Sequence, residues 1–152
     1  NRYVQDHVIA QGLIAHCDYL TKVILPTDVT TIEKDAFMNC KSLTKIEIPA
    51  SVSNLLPSSG CTALRDIEVS EANSNYSSDN GVLLNAQQTN ILWFPMGKQG
   101  EYSLPSTITS IGNYAFKECS IETFILPDDM NEIGQGAFMD SKVKEVKLPA
   151  NL

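Results

Sequence analysis

The apolar positions of the chain recur in a seven-residue pattern that alternates with polar positions and ends in proline. The clearest copy, residues 43–49, reads Leu-Thr-Lys-Ile-Glu-Ile-Pro, and related copies occupy residues 20–26, 121–127 and 143–149. In this copy Ile46 and Ile48 alternate with Lys45 and Glu47, which is typical of a strand with one buried face. Proline cannot donate to a strand ladder and ends it. The pattern therefore predicts one short strand per copy.

The copies recur at a nearly fixed period. Pro26 and Pro49 lie 23 residues apart, whereas Pro105, Pro127 and Pro149 lie 22 apart. Such a period is typical of a solenoid, in which each repeat forms one coil and stacks on the next. We expect repeats at about 1–26, 27–49, 50–69, 106–127 and 128–149. They form one domain of about five coils, and because the pattern is cut at both ends we expect a fragment of a longer array.

The first half of each repeat has a different spacing. From Ile32, the apolar residues fall at i, i+4, i+5 and i+8, where Ala36, Phe37 and Cys40 stand. This spacing favours a helix or 3₁₀ turn of barely two turns. With one strand and one helical turn per coil, successive strands should lie parallel on a concave face, with the helical turns on the convex face. The predicted fold class is an α/β, right-handed solenoid.

Two residue types keep a constant register and are expected in the core. The residues expected to form an aromatic ladder are Phe37, Phe116 and Phe138. Cys17, Cys40 and Cys61 each stand three residues before the leading Leu of a strand, which indicates a packing position. A disulfide between neighbouring coils is a weaker alternative. Zinc binding is weaker still, because no CxxC pair exists.

The period breaks after Val69. Residues 70–81 are polar and rich in turn formers, and the apolar runs 82–84 and 91–94 follow, so we expect an inserted β-hairpin over about 70–101. The alternative makes Leu92, Phe94 and Pro95 a rung of the stack, although Pro95 and Pro105 lie only ten residues apart. Trp93 has two interpretations. It is an exposed contact residue, or it is a plug that anchors the hairpin.

Charge and composition exclude several classes of function. The 152 residues carry a net charge of −7, which disfavours nucleic acid and anionic lipid as partners. No apolar run approaches the roughly 20 residues of a membrane-spanning helix. His7, His16 and the carboxylates show no triad, paired-acid or phosphate-loop pattern, so we expect no catalytic residue and no cofactor. Calcium binding at Asp79 or Asp128 is a weak alternative, since turns favour such residues in any case.

The patterns Leu-x-x-Ile-x-Ile-Pro and Val-x-x-Ile-x-x-x-Ala-Phe-x-x-Cys together resemble the BspA-type leucine-rich repeat. The best copies are residues 29–49 and 108–127, and the resemblance covers nearly the whole chain. Residues 75–83 and 92–98 also resemble the interruption that such arrays often carry. The resemblance implies a bacterial surface or secreted protein that adheres to host matrix proteins, host cells or other bacteria. It implies no catalytic residues.

The strand alternation identifies the side chains that should face out and bind a partner. The candidate ligand-binding residues are Lys45, Glu47, Asp66, Glu68, Trp93, Glu101, Thr123, Ile125 and Glu145. Ile24 and Ile125 are apolar where the alternation predicts contact with water, which favours a contact patch. The predicted function is extracellular recognition of a protein through the concave face or the hairpin. The alternatives are a solvated face without a ligand, a structural spacer, a glycan-binding accessory module and self-association.

Overall fold

The computed structural model describes residues 7–150 and 152, so the part of the predicted first repeat over residues 1–6 lies outside the described residues. The regular structure of the described residues consists of short β-strands. Their bounds are β1 Val8–Ile9, β2 Lys22–Val23, β3 Thr31–Ile32, β4 Lys45–Ile48, β5 Asn54–Leu55, β6 Asp66–Val69, β7 Tyr76–Asp79, β8 Val82–Asn85, β9 Asn90–Trp93, β10 Ser110–Ile111, β11 Thr123–Ile125, β12 Glu132–Ile133 and β13 Glu145–Lys147.

Each regular coil contributes two strands, here named the leading and the trailing strand. The trailing strands β2, β4 and β6 pair in parallel, as do β11 and β13, which confirms the predicted parallel stack. Within β4, Ile46 and Ile48 are buried, as the alternation predicts. The leading strands β1, β3 and β5 form a second parallel sheet that was not predicted. Ile32 lies at its centre, paired with Ile9 and Leu55.

The residues described contain no helix, so the predicted α/β class and the predicted helical turns are wrong: the chain is a β-solenoid. Residues 33–40 instead form an arch of consecutive turns between β3 and β4. Asp35 and Asn39 have φ angles of 58° and 57°, in the left-handed region that interrupts an α-helix. Their amides donate to Pro57 and Ser59 of the next coil, at 3.1 Å and 2.9 Å. The arch therefore exchanges hydrogen bonds with neighbouring coils, where a helix would satisfy its own backbone.

The interruption forms an antiparallel meander of β7, β8 and β9. The predicted hairpin is present between β8 and β9, where Leu84 pairs with Ile91. Strand β9 also pairs in parallel with β10, with Ile91 opposite Ile111, so it occupies a leading-strand position in the stack. The inserted hairpin therefore also supplies a coil of the stack, to which it contributes β9 as a leading strand. It brings the solenoid to about six coils, one more than predicted.

Two hydrophobic clusters form the core, and the β8–β9 sheet lies between them. Leu83 and Trp93 belong to the first cluster, with the coils before the interruption. Val82, Leu84 and Ile91 belong to the second cluster, with the coils after it. Since a strand directs successive side chains to opposite faces, this sheet is buried on both faces.

The aromatic ladder is confirmed only in part. Phe116 stacks on Phe138, with 5.2 Å between ring centroids and an interplanar angle of 15°. On its other side Phe116 stacks on Phe94 at 5.0 Å, and Phe124 packs edge-on at 4.5 Å. Phe37 lies in the first cluster, so its predicted place in the ladder is wrong. Phe94 takes that place because β9 puts it in register with the later coils.

The cysteines occupy packing positions, with one exception. Cys40, Cys61 and Cys119 are fully buried, and all four thiols are free. The Cys61 thiol donates to the Phe37 carbonyl at 3.2 Å, and burial raises the pKa of this thiol to about 12. Burial raises the pKa of Cys119 to about 11. Cys17 is exposed, so the packing prediction is wrong there, because no described coil covers that side of the first arch.

Asn73 connects the third coil to the interruption. Its side chain is buried and its Nδ2 donates to the carbonyls of Pro49 and Val52, at 2.8 Å and 2.9 Å. Its Oδ1 accepts from the amides of Asn75 and Tyr76, at 2.8 Å and 2.9 Å. One side chain thereby satisfies four backbone groups at the point where the period breaks.

Candidate binding surfaces

The outward side chains of the trailing strands form a surface, here called the outer strand face. In its first part Lys22, Lys45 and Asp66 lie side by side across β2, β4 and β6, and Glu47 lies beside Glu68. The inward neighbours Val23, Ile46 and Ile67 are buried, so the polar residues are directed outward. The predicted candidates on these strands are thus brought together.

The charges of this first part are paired with one another. The Lys45 Nζ lies 2.7 Å from the Glu68 Oε2 and 3.3 Å from the Glu47 Oε1. Hydrogen bonding to Glu68, and then to Glu47, raises the pKa of Lys45 above its usual range. The predicted acidic centre is therefore partly neutralised by a lysine of the same sheet.

The second part of the outer strand face consists of β11 and β13. Thr123 lies opposite Glu145, and Ile125 lies opposite Lys147. Beside this pair, the Lys144 ammonium donates to the Glu122 carboxylate at 2.8 Å and lowers its pKa. These side chains are exposed and present a mixed charge.

The two parts are separate, because the trailing sheet is interrupted between β6 and β11. Residues 101–105 form no strand. Glu101 lies on this irregular segment and is exposed. Nearby, the Tyr102 hydroxyl donates to the Asp79 Oδ2 at 3.1 Å, and burial, together with the Asp79 charge, raises the pKa of Tyr102. The acidic trio Asp66, Glu68 and Glu101 therefore does not form one continuous strand surface.

Two isoleucines are the most exposed apolar residues of the outer strand face. Ile24 is 83% exposed, and Ile125 is 73% exposed. Ile24 borders a groove of about 340 Å³ that Glu47 and Glu68 also line. Ile125 borders a larger groove of about 950 Å³, lined also by Tyr102. Each part of the face therefore combines one exposed isoleucine, a shallow groove and charged neighbours.

Trp93 is not a surface residue. Its side chain is 2% exposed and packs in the first hydrophobic cluster, so the interpretation as an exposed contact residue is wrong. The pairing of β8 with β9 shifts register at Leu92, so Ile91 and Trp93 pack in opposite clusters and both are buried, whereas Leu92 is half-buried. Its buried position agrees with the other interpretation, in which Trp93 anchors the hairpin in the core. The indole also lines a cavity on the arch side of the molecule.

The sequence pattern does not predict that cavity. With the interruption counted as the fourth coil, the cavity lies between the arch of the third coil, residues 56–61, and the arch of the fifth coil, residues 112–119. Pro57, Ser58 and Ser59 form part of its wall and lie in the third repeat, which is two residues shorter than the second. The shortened repeat is the signal in the sequence, and it does not indicate what faces this loop.

The described part of the chain contains no cluster of three or more His, Cys, Asp or Glu side chains able to hold a metal ion. Within residues 7–150 and 152, no helix has the length and hydropathy needed to cross a membrane.

Comparison with known sequences identifies the repeat. The family model described as a BspA type leucine rich repeat region matches residues 7–91 and 94–152 in six copies. The matched residues include most of the interruption, in agreement with the coil that β9 adds to the solenoid. No curated protein is detectably similar in sequence to this chain.

Several solved structures are similar to this chain. A leucine-rich cell surface protein from Faecalibacterium prausnitzii shares 28% identity and a TM-score of 0.78 over 95% of this chain and 39% of its own. A leucine-rich repeat protein from Eubacterium ventriosum shares 29% identity and a TM-score of 0.76, over 84% of this chain and 36% of its own. The pneumococcal vaccine antigen PcpA shares 30% identity and a TM-score of 0.72, over 82% of this chain and 32% of its own. The chain thus spans between about a third and two fifths of these structures.

Proposed function

Because this chain belongs to the BspA-type leucine-rich-repeat family, we propose that it is a non-catalytic recognition module on a bacterial surface, which binds a protein through its outer strand face. The surface location is supported by the Faecalibacterium prausnitzii neighbour, which is named a cell surface protein, and by PcpA, which is named a vaccine antigen. The proposed partner is a host matrix protein, a host cell-surface protein or a protein of another bacterium. The proposed localisation is extracellular or at the cell surface.

The observation that carries the proposal is the exposure of Ile125 and Ile24 on a regular strand surface. An apolar side chain that water surrounds on a face of polar neighbours has the arrangement of an interaction hot spot, with an apolar anchor and a polar rim. Burying one isoleucine against a partner contributes about 1.5–3 kcal/mol. Thr123, Glu145 and Lys147 surround Ile125 and supply the rim.

The first part of the face supplies the charge specificity of the proposal. Glu47 and Glu68 border the groove beside Ile24, and both contact Lys45. A partner with a lysine or arginine next to an apolar side chain would displace Lys45 from Glu68 while burying Ile24. Charges arranged in this way govern the association rate and the choice of partner more than the affinity.

The test is binding of the immobilised chain to a panel of purified matrix proteins, with variants on and off the face. We expect Ile125→Thr to weaken the binding that is found by about tenfold, the equivalent of about 1.4 kcal/mol. Glu68→Lys should slow association, because it reverses one charge of the first part. Leu13→Thr and Asp129→Lys are the matched controls, since both positions are exposed and lie outside the outer strand face.

Equal losses in the control variants, with the folds intact by circular dichroism, would contradict the outer strand face as the binding surface. Absence of binding across the panel would favour the second candidate, a spacer that holds another domain away from the cell. The pairing of Lys45 with Glu47 and Glu68 favours that candidate, because those charges already satisfy one another. A glycan-binding module has less support, since Trp93 is buried. Self-association is distinguished in the same samples by their mass in solution.

A further inference from the structure

The interrupted coil leaves a gap on the arch side of the solenoid. Regular arches run over eight residues, for example 33–40, whereas β9 is followed only by Phe94-Pro95-Met96-Gly97 before the chain turns away. The arches of the third and fifth coils therefore face each other across a cavity of about 390 Å³. This volume lies within the roughly 300–1,000 Å³ of small-molecule sites.

Direct contacts hold the two walls of the cavity together. The Gly60 amide donates to the Glu118 Oε2 at 3.0 Å, and the Lys117 Nζ donates to the Ser59 Oγ at 3.1 Å. Both contacts join residues 58 positions apart in the sequence. The cavity is thus preformed by the fold, and a ligand would not have to order its walls.

The interior of the cavity is apolar. Trp93 and Met96 are 2% and 4% exposed and belong to the first hydrophobic cluster, while Leu56 and Met139 line the cavity with 50% and 45% of their surface exposed. The apolar body of a bound molecule would therefore contact apolar side chains.

The charged groups that line the cavity are of one sign. Lys34 and Lys117 line it, and no Asp or Glu of the described residues does, in a chain whose net charge is −7. The Lys34 Nζ lies 5.7 Å from the centre of the Tyr114 ring, and it makes no ion pair within the described residues. Lys117 pairs with Glu118 at 3.4 Å, but that carboxylate is also held by the Gly60 amide. The cavity therefore offers cationic donors above an apolar interior.

We propose that this cavity binds a small amphipathic carboxylate, with its aryl or alkyl body against Trp93 and Met96 and its carboxylate at Lys117 and Lys34. The apolar lining selects the body, because its burial removes apolar surface from water. The lysines select the sign of the head group, because an ammonium attracts a carboxylate and repels an amine. The site lies on the arch side and shares no residue with the outer strand face, so it is independent of protein recognition there.

The test uses three probes with the same body and different head groups: phenylbutyrate, phenylbutanol and phenylbutylamine. Trp93 is the only tryptophan of the chain and lines the cavity, so its intrinsic fluorescence reports occupancy. We expect saturable binding in which phenylbutyrate binds about fivefold or more tightly than phenylbutanol, a preference that added salt reduces, and the amine binds most weakly. Equal binding of acid and alcohol would overturn the proposal, as would the absence of saturable change with any probe.

Substitutions of the two lysines test where the carboxylate of phenylbutyrate binds. Lys117→Met should weaken phenylbutyrate binding by about fivefold and leave phenylbutanol binding unchanged, and Lys34→Met should act in the same direction. Lys41→Met is the matched control, because Lys41 pairs with Asp18 on the first coils and does not line the cavity. An equal loss with Lys41→Met would refute the assignment. Ile125→Thr should leave phenylbutyrate binding intact, which separates a failure here from a failure of the outer strand face.

Discussion

Replacement of Phe116 by alanine tests the packing of the second core most directly. Its ring is fully buried and lies between Phe94 and Phe138, at 5.0 Å and 5.2 Å, with Phe124 edge-on at 4.5 Å. Truncation at Cβ leaves a void that these three rings line. Because β9, β11 and the adjoining arches are fixed by hydrogen bonds to other coils, the void cannot close by a shift of one element.

The expected cost follows from these contacts. Phe→Ala substitutions in cores cost about 3–5 kcal/mol, and loss of favourable ring pairs adds to the transfer of the ring itself. We expect about 4 kcal/mol for Phe116→Ala, since the ring has aromatic neighbours on three sides. For a chain of this length, about 1 kcal/mol corresponds to roughly 2–4 °C in melting temperature, so the expected decrease is roughly 8–16 °C.

The assay is thermal and urea unfolding followed by circular dichroism. Tyr19→Ala is the control, because Tyr19 is 95% exposed and its replacement should change stability by at most about 0.5 kcal/mol. Phe116→Leu should fall between the two, since most of the volume is retained. A decrease of less than about 4 °C for Phe116→Ala would refute the stacked register of the second core.

Three further predictions concern the interruption and the buried thiols. Asn73→Ala should lower the free energy of unfolding by about 2–4 kcal/mol, because four backbone groups lose their partner, and urea unfolding measures it. Burial raises the pKa of Cys61 from 9.0 to about 12. The stability that the buried neutral thiol contributes is therefore complete below pH 9.0 and declines as pH rises towards 12, by up to about 1.4 kcal/mol per pH unit. Cys61→Ala should make that decline shallower, and an unchanged slope would contradict the raised pKa. Gly97→Ala should be more destabilising than Gly100→Ala. A Cβ at Gly97 would lie 2.7 Å from Thr62 and Ala63 backbone atoms, whereas at Gly100 no described atom lies within 4 Å and only the φ of 84° opposes alanine, at about 1–2 kcal/mol. Equal melting temperatures for the two glycine variants would refute this close approach.

The trailing strands were predictable because one pattern dictates them. Ile46 and Ile48 alternate with polar residues and are followed by Pro49, so local preference and burial agree. The leading strands were not, because two-residue strands such as Thr31–Ile32 are too short to show a period. Their existence depends on hydrogen bonds to other coils.

The error over the arches has a physical origin. Ile32, Ala36, Phe37 and Cys40 are buried, as a helix face would require, but an arch that exchanges hydrogen bonds with its neighbours directs the same positions inward. Asp35 and Asn39 favour the arch over the helix, since Asp and Asn tolerate the left-handed backbone that the arch contains. Tyr114 and Glu118 adopt the same conformation in the fifth coil, so the neighbouring coils impose it even where residue type does not favour it.

The candidate site was predictable as a strand surface and not as a set of pockets. Outward placement of Lys45, Glu68 and Ile125 follows from alternation alone. The position of Trp93 did not follow, because β9 is covered on both faces and alternation no longer separates core from solvent. The cavity beside Trp93 depends on residues that the fold brings together from distant coils.

The placement of the β8–β9 sheet between two cores has a mechanical consequence. The coils before the interruption and those after it are each held by their own hydrophobic cluster, and they meet at this wall and at the two hydrogen bonds that join residues 59 and 60 to residues 117 and 118. A chain pulled from its two ends should therefore lengthen in two discrete steps, with each cluster giving way as a unit. Such a module would yield partially under load and recover from the cluster that remains folded.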